Sequence, residues 1–289
     1  SVRAKENLPI AFNNISKDEL SKRNLGQDIP ILLNFLPNVV TTSDAGAGIG
    51  YTGIRIRGIN SQSTNVTING IPYNDAESLG TFWVDLPDFS SSVENLQVQR
   101  GIGTSVNGSS AFGASINILT EKIAEKSFFE SSNTVGSFNT IKNNFKFSTG
   151  LLNNAFEFSG RLSKIDSDGY IDRASSNLKS YFLQFSYKKN KTLLKFLNFG
   201  GHEITYQAWN GIDLLTLENN RTYNPSGLYF DLDGNEKFHE NEVDNYKQDH
   251  FQFHWTQSVS NNLTSSLGLN LTNGRGFYEQ YNENGNEDY

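Results

Sequence analysis

The strongest constraint on the fold is a two-residue alternation of apolar and polar side chains through residues 124–289. Phe156, Phe158 and Leu162, for example, alternate with polar residues. Successive side chains of a β-strand point to opposite faces, so this period predicts long antiparallel strands with one apolar face. Later apolar positions with this spacing are Tyr181, Leu183, Phe185 and Tyr187, then Phe251, Phe253, Trp255 and Val259, then Leu263, Leu267, Leu269 and Leu271.

The connections between these strands separate two all-β architectures. Short links fall at residues 150–154, 189–191 and 260–262, and longer ones at about 166–177 and 202–246, although the first hairpin, at Gly136, has a short outer link. Short turns at one rim and long loops at the other are typical of outer-membrane barrels. A soluble sandwich, with its aromatic side chains packed inward, is the alternative. About seven strands are expected, whereas plugged barrels have about 22, so the sequence predicts an incomplete transmembrane β-barrel.

Composition excludes several classes of function. The 289-residue chain has a formal net charge of −7 and no basic block, which argues against a nucleic-acid partner. It contains no cysteine, which excludes disulfides, thiolate metal sites and cysteine nucleophiles. No run of about 18 apolar residues occurs, so no transmembrane helix is expected. No signal peptide is visible, so a mature or excised chain is expected.

Residues 1–16 are polar apart from one apolar patch. Pro9 disfavours a helix, so the sequence predicts an extended, mobile tail. Such a tail can add a strand to a partner's sheet, whereas a frayed terminus is the plainer interpretation. The patch comprises Leu8, Pro9, Ile10, Ala11 and Phe12.

Residues 17–123 have the pattern of a small, glycine-punctuated α+β unit. A capping box at residues 16–19 predicts one short helix, and Asp28 with Pro30 predicts a second over residues 29–35. Strands are predicted at 54–57, at 66–71 around an Asn69–Gly70 turn, at 93–100 and at 114–119. A G-x-G-x-x-G match at 48–53 precedes a strand instead of a helix, which argues against an enzyme that binds a nucleotide there.

Three ordered blocks of this unit resemble the plug domain of TonB-dependent outer-membrane receptors. They are residues 54–58 (IRIRG), residues 66–72 (VTINGIP), and residues 93–101 (VENLQVQRG) followed by 113–118 (GASINI). Residues 205–211 and 221–224 resemble receptors of the Bacteroidetes type. The resemblance implies an N-terminal tail at 1–16, an α+β plug domain at 17–123, and the first strands of a 22-stranded barrel at 124–289.

The resemblance also implies a function and partners. It implies import of a scarce nutrient across the outer membrane of a Gram-negative cell, with energy from TonB on the periplasmic side and with outer-membrane lipid around the barrel. An iron–siderophore or haem complex is the favoured cargo, and cobalamin or an oligosaccharide is the alternative. The resemblance leaves open a surface lipoprotein as a further partner. Residues 8–12 lie where the family keeps its TonB-binding segment.

Candidate site residues follow from chemistry and from the resemblance. Arg57 and Arg100 lie where family members have plug arginines that pair with barrel glutamates, although a solvated strand face is the alternative. His250 and His254 would be about 13 Å apart on a strand, too far to share a metal. Asp231 begins a D-x-D-G-N segment that favours a hairpin tip over a calcium loop. No catalytic, cofactor or metal site is predicted. The candidates for ligand contact are Tyr73, Asn74, Asp75, Trp83, Tyr170, Arg173, Tyr206 and Trp209.

Overall fold

The computed structural model describes residues 3–5, 9–101 and 112–281. Of the candidate residues, Leu8 lies outside the described residues. No helix in the described ranges is long and apolar enough to cross a membrane. The described chain forms a five-stranded mixed sheet, a seven-stranded antiparallel sheet and two small two-stranded sheets.

The five-stranded sheet belongs to the N-terminal unit and has the strand order β1-β6-β7-β4-β5. All its contacts are antiparallel except for the parallel pair β4 and β7. β2 and β3 form a separate antiparallel pair. The elements of this unit are β1 (Ala11–Ser16), α1 (Lys17–Ser21), α2 (Ile29–Leu32), β2 (Val39–Ser43), β3 (Thr52–Ile56), β4 (Thr64–Ile68), β5 (Ile71–Pro72), β6 (Val93–Arg100) and β7 (Ala114–Thr120).

Local sequence chemistry explains where these elements begin and end. Ser16 and Glu19 form the predicted capping box at the start of α1. The predicted turn between β4 and β5 places Asn69 at φ 53° and Gly70 at φ 85°, a left-handed conformation that both residue types tolerate. α2 is shorter than predicted. Asp28 makes no side-chain cap to α2 and instead accepts a hydrogen bond from Thr52 Oγ1 at 2.9 Å.

The extended, strand-like conformation predicted for the tail is confirmed for residues 11–16, but this segment is paired with the five-stranded sheet instead of standing free. These residues form β1, an edge strand that pairs antiparallel with β6, and Ile15 is buried in the core. Further upstream, the Ala4 N–H donates to Gln97 Oε1 at 2.8 Å, and Gln97 Nε2 donates to the Ala4 carbonyl at 3.1 Å. The side-chain amide of Gln97 therefore replaces a backbone partner and fixes the chain beyond the end of β1.

The seven-stranded sheet has the order β16-β15-β12-β11-β10-β9-β8, which confirms the predicted number of strands. Its strands are joined by short links at residues 150–155, 190–191 and 259–263, and by long links at 168–175 and 207–242. The elements after β7 are β8 (Ser127–Val135), β9 (Ile141–Thr149), β10 (Phe156–Ser167), β11 (Ser176–Lys189), β12 (Thr192–Tyr206), α3 (Leu214–Asn219), β13 (Leu228–Phe230), β14 (Glu236–Phe238), β15 (Val243–Ser258) and β16 (Thr264–Tyr278).

The two faces of this large sheet differ sharply. One face packs against the N-terminal unit and buries polar side chains such as Lys142, Arg161 and Gln184. On the other face Phe185 and Phe196 are exposed. The prediction that the alternating aromatic residues face away from the N-terminal unit is confirmed. An apolar outer face and a polar inner face are the arrangement of a sheet that meets lipid on one side.

The two units share one hydrophobic core. Phe89, in the short helical turn Phe89–Ser92, is buried with Phe182 of β11 and Phe199 of β12. Its ring centroid lies 6.2 Å from that of Phe182 and 5.2 Å from that of Phe199. The N-terminal unit is therefore anchored to the inner face of the sheet by aromatic packing as well as by polar contacts.

Candidate ligand-binding site

Two adjoining cavities lie where the loops of the N-terminal unit meet the polar face of β12, β15 and β16. Their volumes are about 310 and 320 Å³. Both are lined by Asp75, Phe82, Asp85 and Gln248. The glycine-rich loop before β3 and the loop after β5 supply one wall, and the inner face of the sheet supplies the other.

An acidic hydrogen-bond network forms one end of this space. Tyr51, in the glycine-rich loop, donates its hydroxyl hydrogen bond to Asp244 Oδ2, and its oxygen lies 3.4 Å from Glu203 Oε1. Glu203 is fully buried and also accepts a hydrogen bond from Thr205 Oγ1 at 3.0 Å. Burial raises the pKa of Tyr51, so its phenol stays a donor. The network ties a loop of the N-terminal unit to two strands of the large sheet.

Asp85 is the buried carboxylate of the site with the fewest hydrogen-bond partners among the described residues. It is only 6% exposed and lines both cavities. Burial raises the pKa of Asp85 to about 7, and the nearby Asp244 and Asp75 carboxylates add to the shift. Its backbone approaches β12 closely, because a Cβ added to Gly201 would lie 2.3 Å from the Asp85 carbonyl oxygen. A cationic or hydrogen-bond-donating group placed in the cavity would relieve this buried charge.

Aromatic and amide side chains form the other end of the site. The Tyr73 hydroxyl donates to Gln248 Oε1 at 3.3 Å, and its ring lies 5.2 Å from that of His250. His250 is stacked on Phe199 at 4.8 Å and contacts Gln248 Oε1 and Thr272 Oγ1 at 2.8 and 3.0 Å. These side chains are held in place by hydrogen bonds and ring contacts with one another, so this wall of the site is preorganised.

Two of the predicted ligand-contact residues line these cavities with side chains that remain at least partly exposed, and a third lies at the rim. Tyr73 and Asp75 line the cavities. Trp209 stands 38% exposed and packs edge-on to Tyr51, with the ring centroids 5.6 Å apart. Asn74 also lines the first cavity, but its side chain is occupied: Oδ1 accepts from the Val66 N–H.

The other predicted contacts have structural roles or lie elsewhere. Trp83 is buried in the shared hydrophobic core. Tyr206 is buried, and its hydroxyl donates to the carbonyl oxygens of Ser226 and His239. Arg173, in the 168–175 link, stacks 3.5 Å from the ring centroid of Phe238 in the 207–242 link. Tyr170 packs against Phe138 in the loops at the same rim.

The structure also places the motifs that the sequence argued against as metal sites. Among the described residues, no group of three or more His, Cys, Asp or Glu side chains could hold a metal ion. His254 contacts Gln252 Oε1 at 3.1 Å. Asp231 lies at the tip of the β13–β14 hairpin, where Oδ1 accepts hydrogen bonds from the backbone of Asp233 and Asn235. The hairpin-tip prediction is confirmed.

A buried ion-pair cluster below the site holds the N-terminal unit to the sheet. Asp88 is 2.6 Å from Lys142 Nζ and 3.5 Å from Arg161. Asn144 and Ser163 also donate to it, at 2.5 and 2.7 Å. Burial alone would raise the pKa of Asp88, but Arg161 and Lys142 outweigh it and hold the pKa at about 2. Asp88 is therefore a stable anion that lies between two cations, one from β9 and one from β10.

A second group of contacts lies at the end of the sheet that carries the short turns. Glu121, just beyond β7, pairs with Lys146 of β9 and with Lys17 of α1. The Glu121 carbonyl accepts from Lys195 Nζ at 3.0 Å. In the ion pairs that join the two units, the N-terminal unit supplies the acid and the sheet supplies the base.

Arg57 and Arg100 occupy different surroundings. Arg57 is exposed in a turn at φ 55°, and its backbone N–H donates to the Asn38 carbonyl. Arg100 Nη1 donates to the Pro37 carbonyl at 3.1 Å. Among the described residues, the ion pairs between the two units involve neither arginine, and in each of them the N-terminal unit supplies the acid and the sheet supplies the base. The contacts seen for both arginines are internal to the N-terminal unit.

The described part of the apolar N-terminal patch, residues 9–12, lies at the free edge of the five-stranded sheet. Ala11 and Phe12 open β1 and pair with Arg100 and Gln99 of β6. Pro9 and Ile10 precede the strand, and Pro9 is exposed. One edge of β1 is bonded to β6, and its other edge has no strand beside it among the described residues.

Sequence reasoning missed Tyr51, Asp85 and Asp88. Nothing in their local sequence distinguishes them from ordinary loop residues. Lys142 and Arg161 carried a usable signal, because each is a charged residue at a position that the alternation assigns to the inner face. Such cations need a buried acid opposite them, and that acid is Asp88.

Comparison with known proteins agrees with this geometry. Residues 4–115 match the family model of the TonB-dependent receptor plug domain. The probable TonB-dependent siderophore receptor PirA of Acinetobacter baumannii is 26% identical over 134 residues, 43% of this chain and 18% of the relative. The vitamin B12 transporter BtuB of Vibrio vulnificus is 29% identical over 156 residues, 54% of this chain and 25% of the relative. The chain thus spans a quarter or less of these relatives.

A solved structure extends the likeness to the large sheet. The closed form of the ferric-catecholate import receptor Fiu of Escherichia coli superposes with a TM-score of 0.72 at 15% identity, over 94% of this chain and 38% of that chain. At this identity the match shows the fold alone. The five-stranded unit is thus a plug domain, and the seven-stranded sheet is part of the barrel wall around it. Residues 4–115 thus match the plug domain of TonB-dependent receptors, and the chain as a whole shares the fold of a solved import receptor.

Proposed function

We propose that this protein binds an iron–siderophore complex at the outer face of the cell and imports it with energy from TonB. The observation that carries the proposal is the pair of cavities between the plug loops and the inner wall of the sheet. The second cavity lies near the ends of β12 and β15 that carry the long links, and the first extends toward the middle of β15. Long loops face outward in such barrels. A ligand held there would touch both the plug and the wall.

The contacts between plug and wall suit a unit that must be displaced during transport. The plug meets the sheet through ion pairs and hydrogen bonds, such as those of Asp88 and Glu121, and through aromatic contacts of Phe89 and Tyr73. Polar contacts in a water-lined lumen can exchange with water as the plug moves, which a continuous apolar interface cannot do. Energy supplied from outside can therefore open a path beside the plug.

The N-terminal patch is the proposed point where TonB acts. A partner strand can add to the free edge of β1, and backbone hydrogen bonds then provide the affinity. Ala11 and Phe12 are paired to β6, and Gln97 holds Ala4, so force on this segment is transmitted directly into the plug sheet. The proposed contacts are Pro9, Ile10, Ala11 and Phe12, together with Leu8.

The remaining partners and boundaries complete the proposal. A plug domain over residues 17–123, with the tail at 1–16 docked on it through β1, precedes wall strands over 124–289. The outer face of the wall contacts lipid, and a surface lipoprotein is a further proposed partner. No catalytic role is proposed, since the family transports its ligands. The acidic side chains of the site favour a cargo with ammonium or hydroxyl donors over a polyanionic chelate.

A growth experiment tests the proposal. A strain that lacks this receptor is supplied with one iron source at a time, as ferric hydroxamates, ferric catecholates or haem, and with cobalamin in a cobalamin-dependent background. We expect the deletion to abolish growth on one class of ferric siderophore, and the intact gene to restore it. The variants Tyr73→Ala and Trp209→Ala should weaken growth on that source, whereas Tyr170→Ala, outside the cavities, should not. Loss of growth on cobalamin alone would overturn the iron assignment.

A further inference from the structure

Five basic side chains form a continuous row across five neighbouring strands of the barrel wall. Lys164 is the cross-strand partner of Lys179, and Lys179 is the partner of His202. His202 in turn pairs with Lys247, which pairs with Arg275. Neighbouring strands lie about 4.8 Å apart, so the row is about 19 Å long.

The row lies on the outer face of the wall, away from the plug. Lys164 has the same parity on β10 as the exposed Leu162, whereas the buried Arg161 and Ser163 face inward. Lys179 is exposed on β11 and shares a face with Phe185. The remaining members share that face because each pairs directly with its neighbour in an antiparallel ladder.

The row borders the apolar band of the outer face. The next register row below it contains Leu162 and Tyr181, which are cross-strand partners. Two rows further down, Phe158, Phe185, Phe196, Phe253 and Leu269 are successive cross-strand partners. The row lies toward the strand ends that carry the long links at 168–175 and 207–242. In an outer-membrane barrel that end meets the outer leaflet.

Such a row is unfavourable unless an anion lies against it. Like charges directly opposite each other on a sheet are destabilising. The ion pairs near the row are Lys164 with Asp166 at 2.9 Å and Lys247 with Asp249 at 3.4 Å. Both carboxylates are shared, since Asp166 accepts from Asn177 and Asp249 accepts from Tyr181. With four permanent cations and two shared acids, the patch is positive on a chain of net charge −7.

A groove joins the row to the apolar band. It has a volume of about 460 Å³, and its lining includes Lys164, Lys179, His202 and Lys247 beside Phe145, Leu162 and Tyr181. Cations at one end and aromatic or aliphatic side chains at the other match an amphiphile with an anionic head. A free anion would use only the first half of this lining.

We propose that this groove binds a phosphate-bearing glycolipid of the outer leaflet. Its phosphates would lie against Lys164, Lys179, Lys247 and Arg275, and an acyl chain would run over Phe145 and Leu162. The inference rests on the outer-membrane placement in the proposed function, but it does not depend on the cargo or on TonB. The lipid would supply the negative charge that the row requires and would fix the depth of the wall in the membrane.

The test uses two variants with the same change in charge. The row variant carries Lys164→Gln, Lys179→Gln, Lys247→Gln and Arg275→Gln. The control variant carries Lys126→Gln, Lys188→Gln, Lys189→Gln and Lys191→Gln, which lie at the opposite end of the sheet, at the short turns. The receptor is purified as its gene encodes it, in detergent. Bisphosphorylated lipid A, its fully dephosphorylated form and inorganic phosphate are the probes, and the readouts are the dissociation constant and the thermal midpoint.

We expect bisphosphorylated lipid A to bind the wild-type receptor and the control variant and to raise their thermal midpoints. Each charge removed from the row should weaken binding about fivefold, so the row variant should show no shift. Without lipid the row variant should be at least as stable as wild type, because like-charge repulsion is relieved, and this outcome separates lost binding from misfolding.

Three results would overturn the proposal. They are equal binding to all three receptors, equal binding of the dephosphorylated lipid, and displacement of lipid A by millimolar inorganic phosphate, which would indicate a free-anion site. Iron-dependent growth is a separate readout, so a failed transport assignment would not be mistaken for a failed lipid site.

Discussion

Asp88 of the plug and Lys142 of β9 form an ion pair of 2.6 Å in which the two side chains are 0% and 2% exposed. Arg161 lies on the other side of the carboxylate at 3.5 Å. The desolvation of three charges is offset by their mutual attraction and by hydrogen bonds from Asn144 and Ser163. The plug is thus held to the wall by a buried cluster in which the loss of any one charged side chain would leave another charge without its full compensation.

Removing one member of this cluster should loosen the plug. Lys142→Met leaves Asp88 with one cation instead of two, and losing a partner from a buried pair costs about 3–5 kcal/mol. We expect the urea midpoint for plug release, followed by protease accessibility, to fall clearly. The matched control is Lys122→Met, because Lys122 pairs with Glu94 at 2.7 Å but is 79% exposed, so a change of about 0–1 kcal/mol is expected. Equal effects of both substitutions would contradict the role of Asp88.

The same cluster predicts how plug docking depends on acid. The folded-state pKa of Asp88 is about 2, below its ordinary value of 3.8, so the docked state binds the proton less tightly than the released state. Its stabilisation, on the order of 2 kcal/mol, is complete above about pH 4 and is lost as the pH falls toward 2. Plug release measured from pH 6 to pH 2 should show this transition, and Asp88→Asn should remove it. A wild-type profile that is flat below pH 4 would contradict the assignment.

The pH dependence expected from Asp85 is opposite to that expected from Asp88. Its pKa is raised to about 7, so folding favours the protonated form, and this stabilisation is lost as the pH rises through 7. We expect Asp85→Asn to raise the thermal midpoint at pH 8 and to leave it nearly unchanged at pH 4, because asparagine mimics the protonated acid. Glu77→Gln, at an exposed carboxylate that lines the second cavity, serves as the control. Stabilisation by Asp85→Asn that is equal at both pH values would indicate a cause other than ionisation.

The orientation of the wall can be tested with single cysteines, because the chain contains none of its own. Leu269 and Asn270 are adjacent on β16, both are exposed, and they lie on opposite faces. A fluorophore at Leu269→Cys should be quenched by brominated acyl chains, because that face meets lipid. The same fluorophore at Asn270→Cys, on the plug side, should be quenched by iodide instead. Equal quenching of both positions by the lipid would contradict the barrel placement.

Periodic features of this fold were predictable from the sequence. The alternation at Phe156 and Phe158 decided both strand and face, because side chains on a strand have only two directions. The turn at Asn69 was equally predictable, since few residues accept its φ of 53°. The pairing of β1 with β6 was missed because it joins residues that are 79 to 89 positions apart, and no local pattern reveals such a contact.

The candidate site was harder to predict than the fold. Aromatic and polar composition found Tyr73 and Trp209, but the same criterion selected Trp83, whose side chain packs into the core. In the described residues the plug is held to the wall at Asp88 and Glu121, which spacing did not reveal, and the pairing of Arg57 and Arg100 with barrel glutamates stays a prediction. Which acid meets which base depends on how the plug sits against the wall, and spacing along the chain does not record that arrangement.

Energised transport is the central claim, and uptake of iron-55 measures it directly. Cells that lack other receptors for the siderophore would express this protein, with and without a functional TonB. We expect saturable uptake of the ferric siderophore identified by the growth experiment, in TonB-positive cells only, with binding but no uptake in TonB-negative cells. Equal uptake in both strains, with the receptor folded in the outer membrane, would mean that the plug does not gate an energised path and would contradict the account.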